Sequence, residues 1–475
     1  MVYINMKKFN KDKYLKKLKF NKYKRYLYIG IPCILVLLIG IYFTYYKFSV
    51  FKEEEVVRTT VEDFISGDDV IGAYIDGEYS NTIPGKNDGY VVDKIVCDND
   101  AAGSWDKDSW GIVLTNLTKR TKCNIYFETK KIPLTETVTT AMSNSPSMFA
   151  TDDPGKNVRY IGANPSNYVY FNCSDYTNST ADTCELWRII GVFNNVTKSD
   201  GSKENLVKII KADSLGDYRW DYKKNGVGTS TGDGSSDWTD SQLMMMLNPT
   251  SYLKSGYTNS SDIISSGSQQ LYSKMGSYYN GTKGCSPAAI ASGASFSCTE
   301  VDFTSTGLKN DTTRNAIEEV VWNLGGARNF YSASDGLASH WYGYERGTTV
   351  YMGRPTTWTG KVGLMYPSDY VYATSGGTTK DRAACLAKEL SSWDLPDFSD
   401  CEGNDYLLDT NNLQWTLSPY LSGADYVFFV DEFGIVNFYY AYGTDAVRPA
   451  LFLKSNIQVD KGTGEKSNPY TLKMQ

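Results

Sequence analysis

His340 is the only histidine in 475 residues. A Ser-His-Asp triad or a His-ligated metal centre needs more than one correctly placed group, so composition argues against both. Two other chemistries remain open. Glu318, Glu319, Asp369 and Asp431 can furnish the two carboxyls of a carbohydrate-active enzyme, which needs no histidine but needs the pair about 5 to 10 Å apart in one cleft. The 37 Tyr and 10 Trp supply flat contact surfaces instead. Trp341, Tyr342, Tyr344 and Trp358 fall in glycine-punctuated loops, and Tyr439, Tyr440 and Tyr442 fall at a terminal hairpin. Tyr and Trp give large contact area at low entropic cost, so these seven are the candidate ligand-binding residues. Core packing is the competing use of the same rings, and no catalytic residue is assigned.

Of nine cysteines, Cys33 lies in an apolar run and the other eight form four local couples. These are Cys97 with Cys123, Cys173 with Cys184, Cys285 with Cys298, and Cys385 with Cys401. No couple has the C-x-x-C spacing of zinc ribbons or redox enzymes, so four sequential disulfides are expected. Asp233 to Asp237 and Asp394 to Asp405 are acidic loops with oxygens to offer Ca²⁺. Neither has the twelve-residue calcium loop, and no metal or other cofactor is assigned.

The elements that must position these residues begin beyond a polar amino terminus. Ten Lys or Arg against one Asp occupy residues 1–25, and Tyr26 to Tyr46 follow without a charge. Twenty-one helical residues span about 30 Å, which predicts a single transmembrane helix. The basic flank places the amino terminus in the cytoplasm and the rest outside, at the cell surface. Bulky Tyr42 to Tyr46 spoil a signal-peptide cleavage site, so a retained signal-anchor is expected rather than secretion. Removing residues 1–25 from the 48 basic and 54 acidic residues leaves 38 against 53, a balance of −15. An acidic remainder argues against nucleic acid as a partner.

Residues 47–69 read as a polar stalk. Short alternating strands over residues 70–130 predict a small β-sandwich, with Trp105 or Trp110 against the Cys97–Cys123 bridge. Residues 131–155, rich in Thr, Ser, Pro and Asp, read as a linker to a main domain at 156–475. There, Leu186 to Phe193 and Leu206 to Ile210 predict a hairpin. Thr239 to Gln242 caps one helix, and a second starts at Thr312, with Ile317, Val320, Val321 and Leu324 at helical spacing. Tyr426 to Val430, a turn at Asp431 to Gly434, and Ile435 to Tyr440 predict the terminal hairpin. Two helices among strands give an α+β class.

Five motifs occur in order: Trp187 to Ile190; Trp238 with Ser241, Leu247 and Asn248; Trp415 to Pro419; Val427, Val430, Gly434 and Val436; and Val447 to Leu451. Together they resemble an uncharacterised family of Gram-positive bacterial surface proteins associated with the C-type-lectin-like fold. The likeness covers about residues 160 to 455. Residues 70 to 128 look like a small domain recurring in Gram-positive surface proteins. Relatives on the lectin-like fold include phage tropism determinants and formylglycine-generating enzymes, which implies a fold that displays variable loops for binding. This chain departs from both activities. Sugar-binding lectins read calcium-bound hydroxyls through Glu-Pro-Asn or Gln-Pro-Asp and Trp-Asn-Asp, and this chain offers only Leu395-Pro396-Asp397 and Gly403-Asn404-Asp405. Formylglycine chemistry needs unpaired reactive cysteines, and each of the eight outside the apolar run has a local mate.

The reading is therefore a membrane-anchored adhesion protein whose lectin-like domain binds a glycan or a protein ligand. A cell-envelope enzyme with a carboxylate pair, or a purely structural envelope protein, is the alternative.

Overall fold

The computed structural model describes residues 70–116, 121–221, 234–252, 276–287, 298–328, 331, 335–393 and 400–474. The chain divides into two compact units at Lys130/Lys131. The expected basic tail, transmembrane segment and stalk lie outside the described residues. Among the described residues no helix is long and apolar enough to cross a membrane. The longest, Leu134–Asn144, has 11 residues, which at 1.5 Å each spans about half of a ~30 Å hydrocarbon layer. The single-pass anchor, and the cell-membrane localisation built on it, are corrected accordingly.

In the first unit, β1 (Val70–Ile75), β2 (Glu78–Ser80), β3 (Tyr90–Cys97), β4 (Ala102–Asp106), β5 (Gly111–Thr115) and β6 (Lys122–Thr129) follow one another. Four of them make a sheet in the order β2-β1-β6-β3, and β4 pairs with β5. β6 alternates buried and less buried residues along its length, so Cys123, Ile125 and Phe127 share one inward face. Asp76 and Gly77 turn β1 into β2 with φ of 48° and 91°. Left-handed backbone at both central positions matches the twist of a tight hairpin. Cys97 and Cys123 are register partners joined by a disulfide. Trp105 and Trp110 belong to the same hydrophobic cluster as the two cysteines, and Trp105 sets its edge against Phe127 and Trp110, centroids 5.3 Å apart in both cases.

The second unit is led by strands. After β7 (Ile132–Pro133) come β8 (Val158–Arg159), β9 (Tyr168–Phe171), β10 (Glu185–Thr197), β11 (Lys203–Lys211) and β12 (Asp217–Arg219). Then follow β13 (Lys283–Pro287), β14 (Cys298–Asp302), β15 (Val320–Asn323), β16 (Thr357–Gly360) and β17 (Val362–Gly363). β18 (Gln414–Pro419), β19 (Tyr426–Val430), β20 (Val436–Tyr440), β21 (Thr444–Ala446), β22 (Ala450–Leu453), β23 (Gln458–Lys461) and β24 (Thr471–Lys473) close the chain. One sheet runs β17-β22-β11-β10-β8 with β9 on β10, and a second runs β12-β21-β18-β19-β20.

Among the described residues strand outweighs helix, 37% to 17%, which corrects the α+β class with its membrane helix to a strand-dominated fold. The second predicted helix shows why. Asn310, not Thr312, caps it through Thr313 N–H, and it ends at Ala316. Val320 to Asn323 then pair antiparallel with Thr357 to Gly360. β-branched and aromatic residues fit a pleated strand, and the apolar spacing was ambiguous over so short a run. The first predicted helix, Gln242–Leu247, is capped by Ser241 through Met244 N–H. Within the stretch read as a linker, β7 pairs with β23, and the helix Leu134–Asn144 buries Leu134 and Val138.

Cys173–Cys184 and Cys385–Cys401 are disulfides, making three with the bridge of the first unit. The side chains of Cys285 and Cys298 lie outside the described set. Disulfides form and persist in oxidising compartments.

Candidate ligand-binding surface

The hairpin β19–β20 organises the exposed aromatic residues. Asp431 closes its turn, its carboxylate accepting the N–H groups of Phe433 and Ile435, each at 3.0 Å. Gly434 supplies φ of 80°, a conformation that suits glycine. Counting outward from that turn, Val430 faces Val436, Phe428 faces Phe438 and Tyr426 faces Tyr440. All three pairs share a face, because side chains alternate with a period of two.

Their rings form a continuous string. Tyr420 stacks on Phe438 at 4.1 Å, Phe438 meets Tyr426 edge-on at 5.1 Å, Tyr426 lies 4.5 Å from Tyr440, and Tyr440 stacks on Tyr442 at 5.0 Å. Tyr439 closes the end, 6.4 Å from Tyr442, and is 47% exposed. The other five are half-buried, so each ring rests on a neighbour and keeps part of itself in water.

Beside the string opens a pocket of about 240 Å³ lined by the Gly326–Ala327–Arg328 segment and by Asp335, Tyr344, Thr349 and Leu421. Leu421 donates its N–H to the Ala327 carbonyl at 3.0 Å, and Ala327 bridges to Tyr420, which fixes the pocket next to the first ring. Tyr331, 63% exposed, donates its hydroxyl to Asn437 of β20 at 3.1 Å. Tyr344 donates to the Asp335 carbonyl at 2.5 Å. Burial, and then the Asp335 charge, push the Tyr344 phenol up, so it enters the pocket as a neutral hydroxyl.

Of the seven residues picked out by sequence, Tyr439, Tyr440 and Tyr442 lie in the string and Tyr344 in the pocket. The other three are committed elsewhere. Trp341 is fully buried and packs edge-on against Phe428 at 4.7 Å. Trp358 is 9% exposed and packs on Trp238 and Tyr252. Tyr342 lies under the Arg346 guanidinium at 3.5 Å. Tyr420, Tyr426, Phe438, Arg328 and Asp335 were not picked out by sequence. Register counting from the Asp431 turn finds Tyr426 and Phe438, whereas nothing local marks Arg328 or Asp335.

A second concentration of ionisable groups is sealed in the core. Arg159 pairs with Asp153 through Nε and with Asp369 through Nη1, the latter at 2.7 Å, and Lys208 pairs with Asp369. Glu345 accepts from the Ser368 N–H and hydroxyl and pairs with Arg346 at 3.1 Å. Burial pushes Glu345 up to about 7, against the pull of Arg346. Of the four carboxylates considered for catalysis, Asp369 is locked in this core, Asp431 holds a turn, Glu319 accepts from the Tyr252 hydroxyl, and Glu318 accepts the Glu319 N–H at 3.2 Å. Asp233 and residues 394–399 of the two acidic loops lie outside the described residues. Among the described residues no three acidic, His or Cys groups come together around a cation position.

Comparison with protein-family models, curated proteins and solved structures finds no match to this chain.

Proposed function

We propose that the second unit is a binding module for a glycan chain, which lies along Tyr420, Phe438, Tyr426, Tyr440 and Tyr442 with one end entering the Arg328–Asp335–Tyr344 pocket. The observation that carries this reading is the continuity of the half-exposed ring string with that pocket. A sugar ring has one face of C–H groups that packs on an aromatic face and a rim of hydroxyls that needs donors and acceptors. The string offers the first and the pocket the second. A pocket of about 240 Å³ falls below the ~300–1,000 Å³ typical for drug-sized ligands, which suits a single ring rather than a large compact molecule.

The resemblance to loop-displaying surface domains points the same way, on its motifs alone. The test is a glycan array and cell-wall polysaccharide panel probed with the full chain and with a Tyr439→Ala, Tyr440→Ala, Tyr442→Ala triple variant of unchanged circular dichroism. Glycan binding that the triple variant loses supports the reading. Absence of any glycan hit, binding of proteins alone, or a glycan hit indifferent to the three substitutions overturns it.

A further inference from the structure

Lys208 and Asp369 make a contact that the binding reading does not use. Lys208 stands in β11 and Asp369 in the short helix Pro367–Val371, with side chains 1% and 0% exposed. Phe193, Trp322, Tyr366 and Phe452 put their rings 4.5 to 5.6 Å from Lys208 Nζ. The amine therefore faces a carboxyl in an aromatic, solvent-inaccessible enclosure, where each charge would cost several kcal/mol without its partner. The carboxyl is held by donors on both of its oxygens. Arg159 Nη1 donates to Oδ1 at 2.7 Å, and the Tyr366 N–H donates to Oδ2 at 2.9 Å.

We propose that Lys208 and Asp369 become joined by an intramolecular amide bond that the folded protein forms on itself. One ammonium proton first passes along the Lys208–Asp369 hydrogen bond to Oδ2, leaving a neutral amine against a neutral carboxyl. The Lys208 nitrogen then attacks the carboxyl carbon, the N–C bond forms, and the bond from that carbon to Oδ2 breaks. Of the three ammonium protons one stays on the amide nitrogen and two leave with Oδ2 as water, so atoms and charge balance without a co-reactant. Arg159 sits on Oδ1, where negative charge develops during attack, the geometry that stabilises an oxyanion. The Tyr366 N–H sits on the oxygen that departs.

Charge counting in the core supports the product. Arg159, Lys208 and Arg346 face Asp153, Asp369 and Glu345, and the amide removes one charge of each sign. Arg159 keeps Asp153 and Arg346 keeps Glu345, so no buried charge is orphaned. Burial pushes the Lys208 ammonium down toward the neutral, nucleophilic amine, with Asp369 opposing. Burial alone would raise Asp369, but Lys208 and then Arg159 bring it down to about 2. The starting state is thus an ion pair, and the reaction removes both of its charges from a buried core.

The experiment is intact mass spectrometry of the full chain, folded, then reduced and denatured, followed by peptide mapping. The expected result is a mass short of the sequence by one water, and a branched peptide joining the segments that contain residues 208 and 369. Lys208→Arg, which keeps a cation in the enclosure, and Asp369→Ala should both restore the full mass. A wild-type chain at full sequence mass after prolonged incubation overturns the proposal. So does a missing water that maps to another site or survives in Lys208→Arg.

Discussion

Two aromatic clusters in the second unit use the same residue types to opposite ends. Around Lys208, the rings of Phe193, Trp322, Tyr366 and Phe452 are all buried or nearly so and enclose a charge. Along and beside β19 and β20, Tyr420, Tyr426, Phe438, Tyr440 and Tyr442 lean on one another and keep a wet side, with Tyr420 and Phe438 also resting on the core. The inner rings hold a cation through their faces and exclude water, which makes the ion pair strong and its disruption costly. The outer rings contribute little enclosure, so losing one should disturb recognition more than folding. An aromatic residue's use in this protein is thus set by what covers its second face, not by its type.

The contrast is sharpest at Asp369. Measured in a Lys208→Arg background, which keeps a cation in the enclosure but cannot form the amide, Asp369→Ala leaves two buried cations with one carboxylate fewer, and unfolding by urea should show a loss of about 3–5 kcal/mol. A loss below about 1 kcal/mol would mean that water reaches the enclosure and would break the comparison.

Next comes pH. Glu345 stands at about 7 against an ordinary 4.5. Between those values the folded state binds more protons than the unfolded, so stability falls as pH rises from about 4.5 to 7, by up to roughly 3 kcal/mol. Glu345→Gln should flatten that slope. An unchanged slope in urea titrations across this range would assign the dependence to other groups.

The outer cluster was more legible in sequence than the inner one, for a physical reason. Alternation, a turn at Asp431 to Gly434 and a run of tyrosines are local signals, and they locate β19, β20 and three of the string's rings. The β10–β11 hairpin was legible in the same way, as were three of the cysteine couples. The inner cluster joins residues 153, 159, 208, 345 and 369, whose adjacency arises only from sheet packing, so no window of sequence displays it. Trp341 and Trp358 were misplaced on the surface because glycine-punctuated sequence resembles loop, while tertiary packing put both rings inside. The helix expected from Thr312 to Leu324 failed because an apolar spacing of three and four also serves a bridge at Ile317 followed by a strand from Val320.

On the outer side, Tyr440→Ala and Tyr442→Ala should each reduce glycan affinity about tenfold, the order expected for one aromatic contact of about 1 kcal/mol or slightly more. Each should change unfolding free energy by less than Asp369→Ala does. Isothermal titration beside urea denaturation reads both quantities from one preparation. If either tyrosine costs as much stability as Asp369, the string is core rather than surface, and the two clusters differ in exposure only.

The smallest expected effect is also the most selective. Tyr344→Phe removes one hydroxyl from the pocket and leaves its ring. The Asp335 carbonyl at 2.5 Å loses a donor, but exposed Asp335 can turn to water instead, so the stability change should stay within about 0.5 kcal/mol. A ligand whose end enters the pocket loses a hydrogen-bonding partner in the same substitution, and its affinity should fall a few-fold. A shorter ligand that occupies only the ring string should be unaffected. Equal losses for short and long glycans would place the ligand's end elsewhere and separate the pocket from the string.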